Sequence, residues 1–94
     1  DEFFILVRGV VRYGGTVDGL KEKYRIVRMP PDTQRGVFGE KHLALCREMN
    51  RLSLITENDE EVERFYAIDN ATVSVPDLEE FFQILVRSEN GNSI

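Results

Sequence analysis

An amphipathic helix near the C-terminus is the feature that most constrains the fold of this chain. Ser74 is a good N-cap, and the segment from Pro76 to Arg87 that follows it is rich in helix-forming residues. One apolar face is formed by four residues at helical spacing, Leu78, Phe81, Phe82 and Leu85. Ile84 and Val86 fall outside that face. The pattern therefore predicts a second apolar contact for this helix, either with its own domain or with a partner protein.

Length and composition bound the rest of the chain. Its 94 residues are enough for one domain, predicted over residues 1–94, and too few for two. No apolar stretch approaches the roughly 20 residues of a membrane helix, so no membrane association is predicted. Cys46 is the only cysteine, which excludes an internal disulfide and fits a reducing compartment. Because the chain starts without Met, we expect it to be a domain of a longer protein.

The elements predicted in chain order are helix, short strand, helix, helix, hairpin and helix. The first helix, with a strand as its alternative, covers residues 2–13 and ends at Gly14-Gly15. The others are a strand at 16–17, a second helix over 18–25 capped by Asp18, a third helix over 40–50, and hairpin strands over 52–56 and 62–68. This order predicts an α+β winged-helix fold, a helix-turn-helix with a β-hairpin wing, over residues 1–69. A C-terminal extension helix over 74–89 is appended to it.

The residues that carry chemistry do not form a catalytic or metal site. His42 and Cys46 are four apart on the predicted third helix, a spacing that could hold one edge of a metal site. No further His or Cys exists to complete that site or to orient the pair for nucleophilic catalysis. The acidic residues between 57 and 63 lack the spacing of a calcium loop and indicate a solvated hairpin tip. We therefore predict no enzymatic activity, no metal and no cofactor.

The charge is divided unevenly along the chain. Residues 18–51 carry 8 basic and 5 acidic side chains, whereas residues 52–94 carry 2 basic and 10 acidic ones. The overall net charge of -5 argues against a dedicated nucleic-acid binder, but the basic middle could contact phosphate. The candidate RNA-binding residues are Lys23, Arg28, Arg35, Lys41, Arg47 and Arg51, with Lys21 and Arg25 beside them.

Three short motifs resemble those of a known family. Residues 14–25 combine a Gly-Gly turn, a short extended piece, and a helix that contains Leu20 and closes on Tyr24-Arg25. Residues 39–49, followed by residues 52–55, are similar to the family's third helix and first hairpin strand. The stretch 64–68 contains the Tyr-Ala pair with which the hairpin often ends. On these motifs the chain resembles a LOTUS domain, also called OST-HTH, of the extended type with an additional C-terminal helix.

The resemblance implies a function in protein interaction. Extended LOTUS domains dock the C-terminal RecA-like lobe of Vasa-type DEAD-box RNA helicases, can stimulate them, and act in germ granules, which implies perinuclear cytoplasmic granules as the location. The contact uses the second and the appended helices. Carried onto this chain, the partner-binding residues are Lys21, Tyr24, Arg25, Phe82, Ile84, Leu85, Val86 and Arg87. Other family members bind RNA or dimerise through the hairpin. An RNA-binding winged-helix module, and a generic winged-helix scaffold that binds a neighbouring domain of its own chain, are the alternatives.

Overall fold

A computed structural model describes residues 2–33 and 42–88 and shows an α+β fold. The α+β class predicted from the sequence is confirmed. The described strands are β1 (Phe3–Val7), β2 (Val10–Gly15), β3 (Tyr24–Met29), β4 (His42–Arg47), β5 (Leu52–Glu57) and β6 (Thr72–Ser74). The described helices are α1 (Val17–Lys23), a 3₁₀ helix (Glu60–Ala67) and α2 (Leu78–Arg87).

A four-stranded antiparallel sheet with the order β4-β5-β3-β6 forms the middle layer. Because side chains alternate along a strand, β3 sends Tyr24 and Ile26 to one face of this sheet and Val27 and Met29 to the other. The hairpin β1–β2, α1 and α2 cover the first face, and the 3₁₀ helix covers the second. β5 lies between two strands and between two covered faces, and its residues from Leu52 to Thr56 are all buried.

The first predicted helix is wrong, because residues 3–15 form the hairpin β1–β2. Arg8 and Gly9 both adopt positive φ, 54° and 79°, as the two central residues of a type I′ turn do. This turn joins strands rich in β-branched and aromatic residues, for which the strand alternative was the correct one. Gly14-Gly15 lies inside β2 and terminates no helix.

The third helix, predicted over residues 40–50, is also wrong for the residues of this segment that the structure describes. Residues 42–47 form β4, which pairs with β5 along its length, and residues 40 and 41 lie outside the described residues. The helical spacing of Leu43, Cys46 and Met49 was misleading. Cys46 is buried in the core, whereas Met49 is 99% exposed in the connection to β5. Long-range pairing with a fully buried strand outweighs the weak local preference of this segment for a helix.

The second helix and the hairpin are right only in part. α1 starts one residue after its N-cap, Thr16, whose hydroxyl accepts the Gly19 N–H at 2.9 Å, and it ends at Lys23 because Tyr24 begins β3. The predicted strand over 52–56 is confirmed as β5. The predicted strand over 62–68 falls largely in the 3₁₀ helix, where Val62 and Phe65 pack together at a spacing of three.

The C-terminal helix is confirmed, with Asp77 as its N-cap in place of Ser74. The Asp77 carboxylate accepts the Glu80 N–H at 2.8 Å, which satisfies one free donor of the first turn. Ser74 instead lies in β6. The described order of elements thus differs at the first helix, the third helix and the second hairpin strand from the order that gave the winged-helix prediction.

Candidate functional site

α2 has a buried face that fixes it on the central sheet. Phe81, Ile84 and Leu85 are each at most 4% exposed and belong to the same core cluster as β1 and β4. The prediction that Ile84 and Leu85 are free for a partner is therefore wrong. They lie at positions i, i+3 and i+4 with Phe81, which is the core-facing pattern of a surface helix.

A second apolar pair on α2 remains outside the core. Leu78 and Phe82, one turn apart, are 41% and 44% exposed. Across from them, β1 exposes Phe4 and Leu6, at 69% and 56%. Together these elements form a groove of about 490 Å³, lined by residues 3–6 of β1 and by Leu78, Glu79 and Phe82 of α2. We call it the β1–α2 groove.

The strand geometry explains why β1 exposes large apolar residues. Ile5 and Val7 point into the core, so the alternation of a strand turns Phe4 and Leu6 outward. Phe4 lies opposite Gly14, and a Cβ added to this glycine would come within 2.8 Å of the Phe4 ring. The Phe4 ring therefore packs over the Gly14 backbone, in the space that a side chain at position 14 would occupy. Leu6 lies opposite Val11, which is also exposed, so the apolar surface continues across the hairpin.

The partner-binding residues predicted on the second helix do not line this groove. Tyr24 begins β3 and is 5% exposed, with its ring 5.2 Å from that of Phe81. Lys21 is exposed on α1. Arg25 is half-buried and donates to the carbonyls of Lys21 and Tyr24, at 2.5 and 2.7 Å. Tyr24 therefore serves packing, which corrects its predicted role.

The remaining predicted contacts on α2 divide between core and surface. Val86 is half-buried and packs against the core cluster. Arg87 is exposed, and its guanidinium lies 3.2 Å from the carboxylate of Glu48. Among the predicted partner-binding residues, Phe82 is the one that lines the β1–α2 groove in the described part of the chain.

The groove residues on β1 were missed from the sequence, as was the exposure of Leu78. All five residues of β1 are apolar, so their hydrophobicity cannot reveal which of them face outward. The available signal was Arg8-Gly9 between two apolar runs, a two-residue hairpin spacing. That spacing would have predicted β1 and β2, and alternation would then have separated Phe4 and Leu6 from Ile5 and Val7.

The candidate RNA-binding residues are largely engaged in contacts within the chain. Arg28 pairs with Glu80 at 2.6 Å, and Arg51 pairs with Glu48 at 2.9 Å. The other contacts are those of Arg47 with the Pro31 carbonyl, at 2.9 Å, and of the Lys23 ammonium with the Tyr24 ring centroid, at 5.4 Å. Arg35 and Lys41 lie outside the described residues. Arg28 and Arg51 do line one cleft of about 310 Å³, but each faces a carboxylate.

The geometry of β4 separates His42 from Cys46. Four residues along a strand span about 13 Å, so the two side chains cannot share one metal ion as they could on a helix. Residues 2–33 and 42–88 contain no cluster of three or more His, Cys, Asp or Glu side chains able to hold a metal ion. Burial raises the pKa of the Cys46 thiol, and the neighbouring Glu48 carboxylate raises it further. The thiol is thus held in its unreactive, protonated form.

In the segments that the structure describes, the helices are all too short or too polar to cross a lipid bilayer. No family model matches the sequence, and neither a curated protein nor a solved structure matches it. The functional interpretation therefore starts from the β1–α2 groove.

Proposed function

We propose that this chain is a protein-interaction domain and that its docking surface is the β1–α2 groove. The observation that supports this is the contiguity of the groove's exposed apolar side chains. Single exposed apolar residues are ordinary on any protein surface. Here Phe4 and Leu6 on a strand face Leu78 and Phe82 on a helix, and they enclose a concave space of about 490 Å³. Concave apolar surfaces of this kind are typical of binding sites for other proteins.

The walls of the groove are held rigidly, which lowers the entropic cost of binding. Behind Phe4 and Leu6, the residues Ile5 and Val7 are buried in the core, and behind Phe82 lies Phe81, with no exposed surface. Each exposed residue thus sits beside a core residue of the same element. A partner would meet a preformed site, so little of its binding energy would go into ordering the site.

The LOTUS resemblance makes the C-terminal RecA-like lobe of a Vasa-type DEAD-box helicase the first partner to test. Stimulation of the helicase and a place in cytoplasmic germ granules belong to the same proposal. What supports this partner is the α1 motif at residues 14–25 together with the C-terminal helix. The third-helix motif gives no support, because residues 42–47 form a strand.

The first experiment is calorimetric titration of the full chain with a recombinant helicase C-terminal lobe. Phe82→Glu places a charge in the groove and should weaken binding by more than about tenfold, as expected for an aromatic anchor. Met49→Glu is the matched control, because Met49 is 99% exposed in the connection between β4 and β5. Equal weakening by both variants, or none by Phe82→Glu, would contradict the proposed site.

A second experiment tests the groove without assuming the helicase. A phage library of random twelve-residue peptides is panned on the wild-type chain and counter-selected on the folded Phe82→Glu variant. Enrichment of peptides that bind the wild type alone supports a docking function. Failure to enrich any such peptide, together with no binding of the helicase lobe, would contradict the proposed docking function. Titration with single-stranded, duplex and quadruplex RNA at two salt concentrations would then decide the RNA-binding alternative, since phosphate contacts weaken steeply with salt.

A further inference from the structure

β1 is an edge strand on its side away from β2. In residues 2–33 and 42–88, β1 pairs with β2 and with no other strand. It is nevertheless a strand of five residues with no proline and no charge within it. Its pairing has one register shift between Ile5 and Leu6, where the extra residue, Arg12, lies on β2, so the alternation along β1 itself continues. Edge strands that are apolar and regular are the ones to which another strand can add, because their backbone groups stay available for pairing.

The hairpin register identifies which backbone groups are available. In a two-residue hairpin the flanking residues, here Val7 and Val10, form a hydrogen-bonded pair. Along β1 the backbone groups of Val7, Ile5 and Phe3 therefore face β2. The N–H and C=O groups of the residues between them, Leu6 and Phe4, face the open edge. No described hydrogen bond from another element uses these groups.

The open edge of β1 faces the β1–α2 groove. Four consecutive residues of β1, from Phe3 to Leu6, line the groove. Consecutive residues point to opposite faces of a strand, so a groove that touches all four lies along the edge of the strand. α2 forms the opposite wall with Leu78, Glu79 and Phe82. The groove thus has a strand edge on one side and an apolar helix face on the other.

We propose that the partner binds in the β1–α2 groove as an extended segment that adds to β1 as a third strand of the hairpin sheet. This inference rests on the proposed docking function and specifies how the docking occurs. The Leu6 and Phe4 backbone groups would pair with the incoming strand. Its alternate side chains would pack against Leu78 and Phe82.

The groove also defines the composition of the segment. Its lining is apolar except for Glu79, which is exposed on the helix wall. Exposed Asp77 lies two residues before it, at the N-cap of α2. A segment with apolar residues at alternate positions and a Lys or Arg facing Glu79 would be complementary in shape and in charge. The partner is therefore a β-forming peptide segment with alternating apolar residues and a basic flank.

Amide hydrogen exchange of the full chain tests this binding mode directly. The probe is the tightest-binding peptide from the phage library, synthesised and added at saturation. Its binding should slow the exchange of the Phe4 and Leu6 amide protons by about tenfold or more, because each N–H becomes hydrogen-bonded to the added strand or shielded from water by it. The Ile5 and Val7 amides, which face β2, are the internal controls and should change far less.

A backbone substitution isolates the hydrogen bond from the side chain. The lone cysteine permits assembly of the full chain from two synthetic segments joined at Leu45-Cys46. Replacing Leu6 with its α-hydroxy acid changes the outward N–H into an ester oxygen and keeps the leucine side chain. Binding of the library peptide should weaken about fivefold, the effect of one net hydrogen bond. The same replacement at Val17, in the first turn of α1, is the matched control.

The outcomes separate this inference from the proposed function. Slower exchange at Phe4 and Leu6 with weaker binding by the Leu6 ester supports strand addition. Peptides that need Phe82 but leave both amides unprotected would overturn strand addition and retain the docking function, as would a helical conformation of the bound peptide. Self-association of the chain through β1, detected by analytical ultracentrifugation without peptide, would overturn the proposed occupant, because a second copy of the chain and not a partner segment would then add to β1. A library that yields no Phe82-dependent peptide would overturn strand addition, and together with no binding of the helicase lobe it would overturn the docking function as well.

Discussion

β5 and β1 lie in opposite surroundings: β1 is entirely apolar yet partly exposed, whereas β5 contains Ser53 and Thr56 and buries both. β5 pairs with strands on both sides and is covered on both faces, so every residue from Leu52 to Thr56 is buried. β1 is covered on one face and paired on one side, and Phe4 and Leu6 remain largely exposed. The comparison shows that the side chains of a strand become core or exposed surface according to what the rest of the chain places beside them. Composition alone does not decide between the two.

The sharpest test of this comparison replaces one leucine in each strand. Leu54→Ala should lower the free energy of unfolding by about 2–5 kcal/mol, because the side chain is fully buried and its loss leaves a cavity. Leu6→Ala should lower it by less than about 0.5 kcal/mol, because the side chain is 56% exposed. Urea unfolding followed by circular dichroism gives both values. Similar losses would mean that the outer face of β1 belongs to the core.

The ion pair between β3 and α2 tests what holds the helix wall of the groove in place. Arg28 and Glu80 lie 2.6 Å apart and are both partly buried. Glu80→Gln should lower the free energy of unfolding by about 1–2 kcal/mol, because it leaves the Arg28 charge without its carboxylate. Glu79→Gln, one residue earlier and exposed, is the control and should have almost no effect on unfolding. A larger loss of unfolding free energy from Glu79→Gln than from Glu80→Gln would show that the Arg28–Glu80 ion pair is not what stabilises α2.

Removing the N-cap of α1 tests how much this capping hydrogen bond, directly after the β1–β2 hairpin, contributes to stability. The Thr16 hydroxyl accepts the Gly19 N–H at 2.9 Å directly after β2. Thr16→Ala should cost about 1 kcal/mol of unfolding free energy, whereas Thr16→Ser keeps the oxygen and should cost much less. Thermal unfolding of the three chains measures the difference. If serine fails to restore stability, the contribution comes from the methyl group and not from the cap.

The smallest expected effect concerns Cys46 on β4, the strand next to β5. Burial raises the pKa of its thiol in the folded state, so the unfolded chain loses this proton first as the pH rises. The contribution of this thiol to stability is complete below the unfolded pKa of about 8.5 and is lost as the pH rises from there through the higher folded pKa. Urea unfolding of wild type and Cys46→Ala over this range should differ in slope. Equal slopes would show that the thiol titrates alike in both states.

The sequence predicted those elements whose local and long-range signals agree. The C-terminal helix has a capping residue, strong helix formers and apolar residues at helical spacing, and it forms where expected. β5 contains aliphatic and β-branched residues and also forms where expected. For residues 42–47 the local pattern was ambiguous, and pairing with β5 decided the outcome. Such pairing depends on the complete fold and cannot be read from a short window.

Most of the residues that line the β1–α2 groove were not predicted from the sequence. The excess of apolar side chains on α2 indicated a second contact, and Phe82 does lie in the groove. Ile84 was placed outside the core-facing stripe, and Leu78 and Phe82 were placed within it, because a helix with six apolar residues permits more than one choice of core face. The β1 wall could not be predicted once residues 2–13 had been interpreted as a helix. Its exposed residues depend on strand alternation, which a helical interpretation does not contain.

The Tyr13 hydroxyl donates to the Thr16 carbonyl at 2.9 Å and also occupies the space in which two glycines lack side chains. A Cβ at Gly15 would lie 2.8 Å from that oxygen, and one at Gly19 would lie 3.0 Å from it. These three positions therefore constrain one another during evolution. A homologue with phenylalanine at position 13 would lose the closer of the two contacts at position 19, where the Thr16 Oγ1 lies 3.2 Å from the added Cβ, whereas position 15, with φ at 148°, would still favour glycine. Tyrosine at 13 and glycine at 19 should be inherited together.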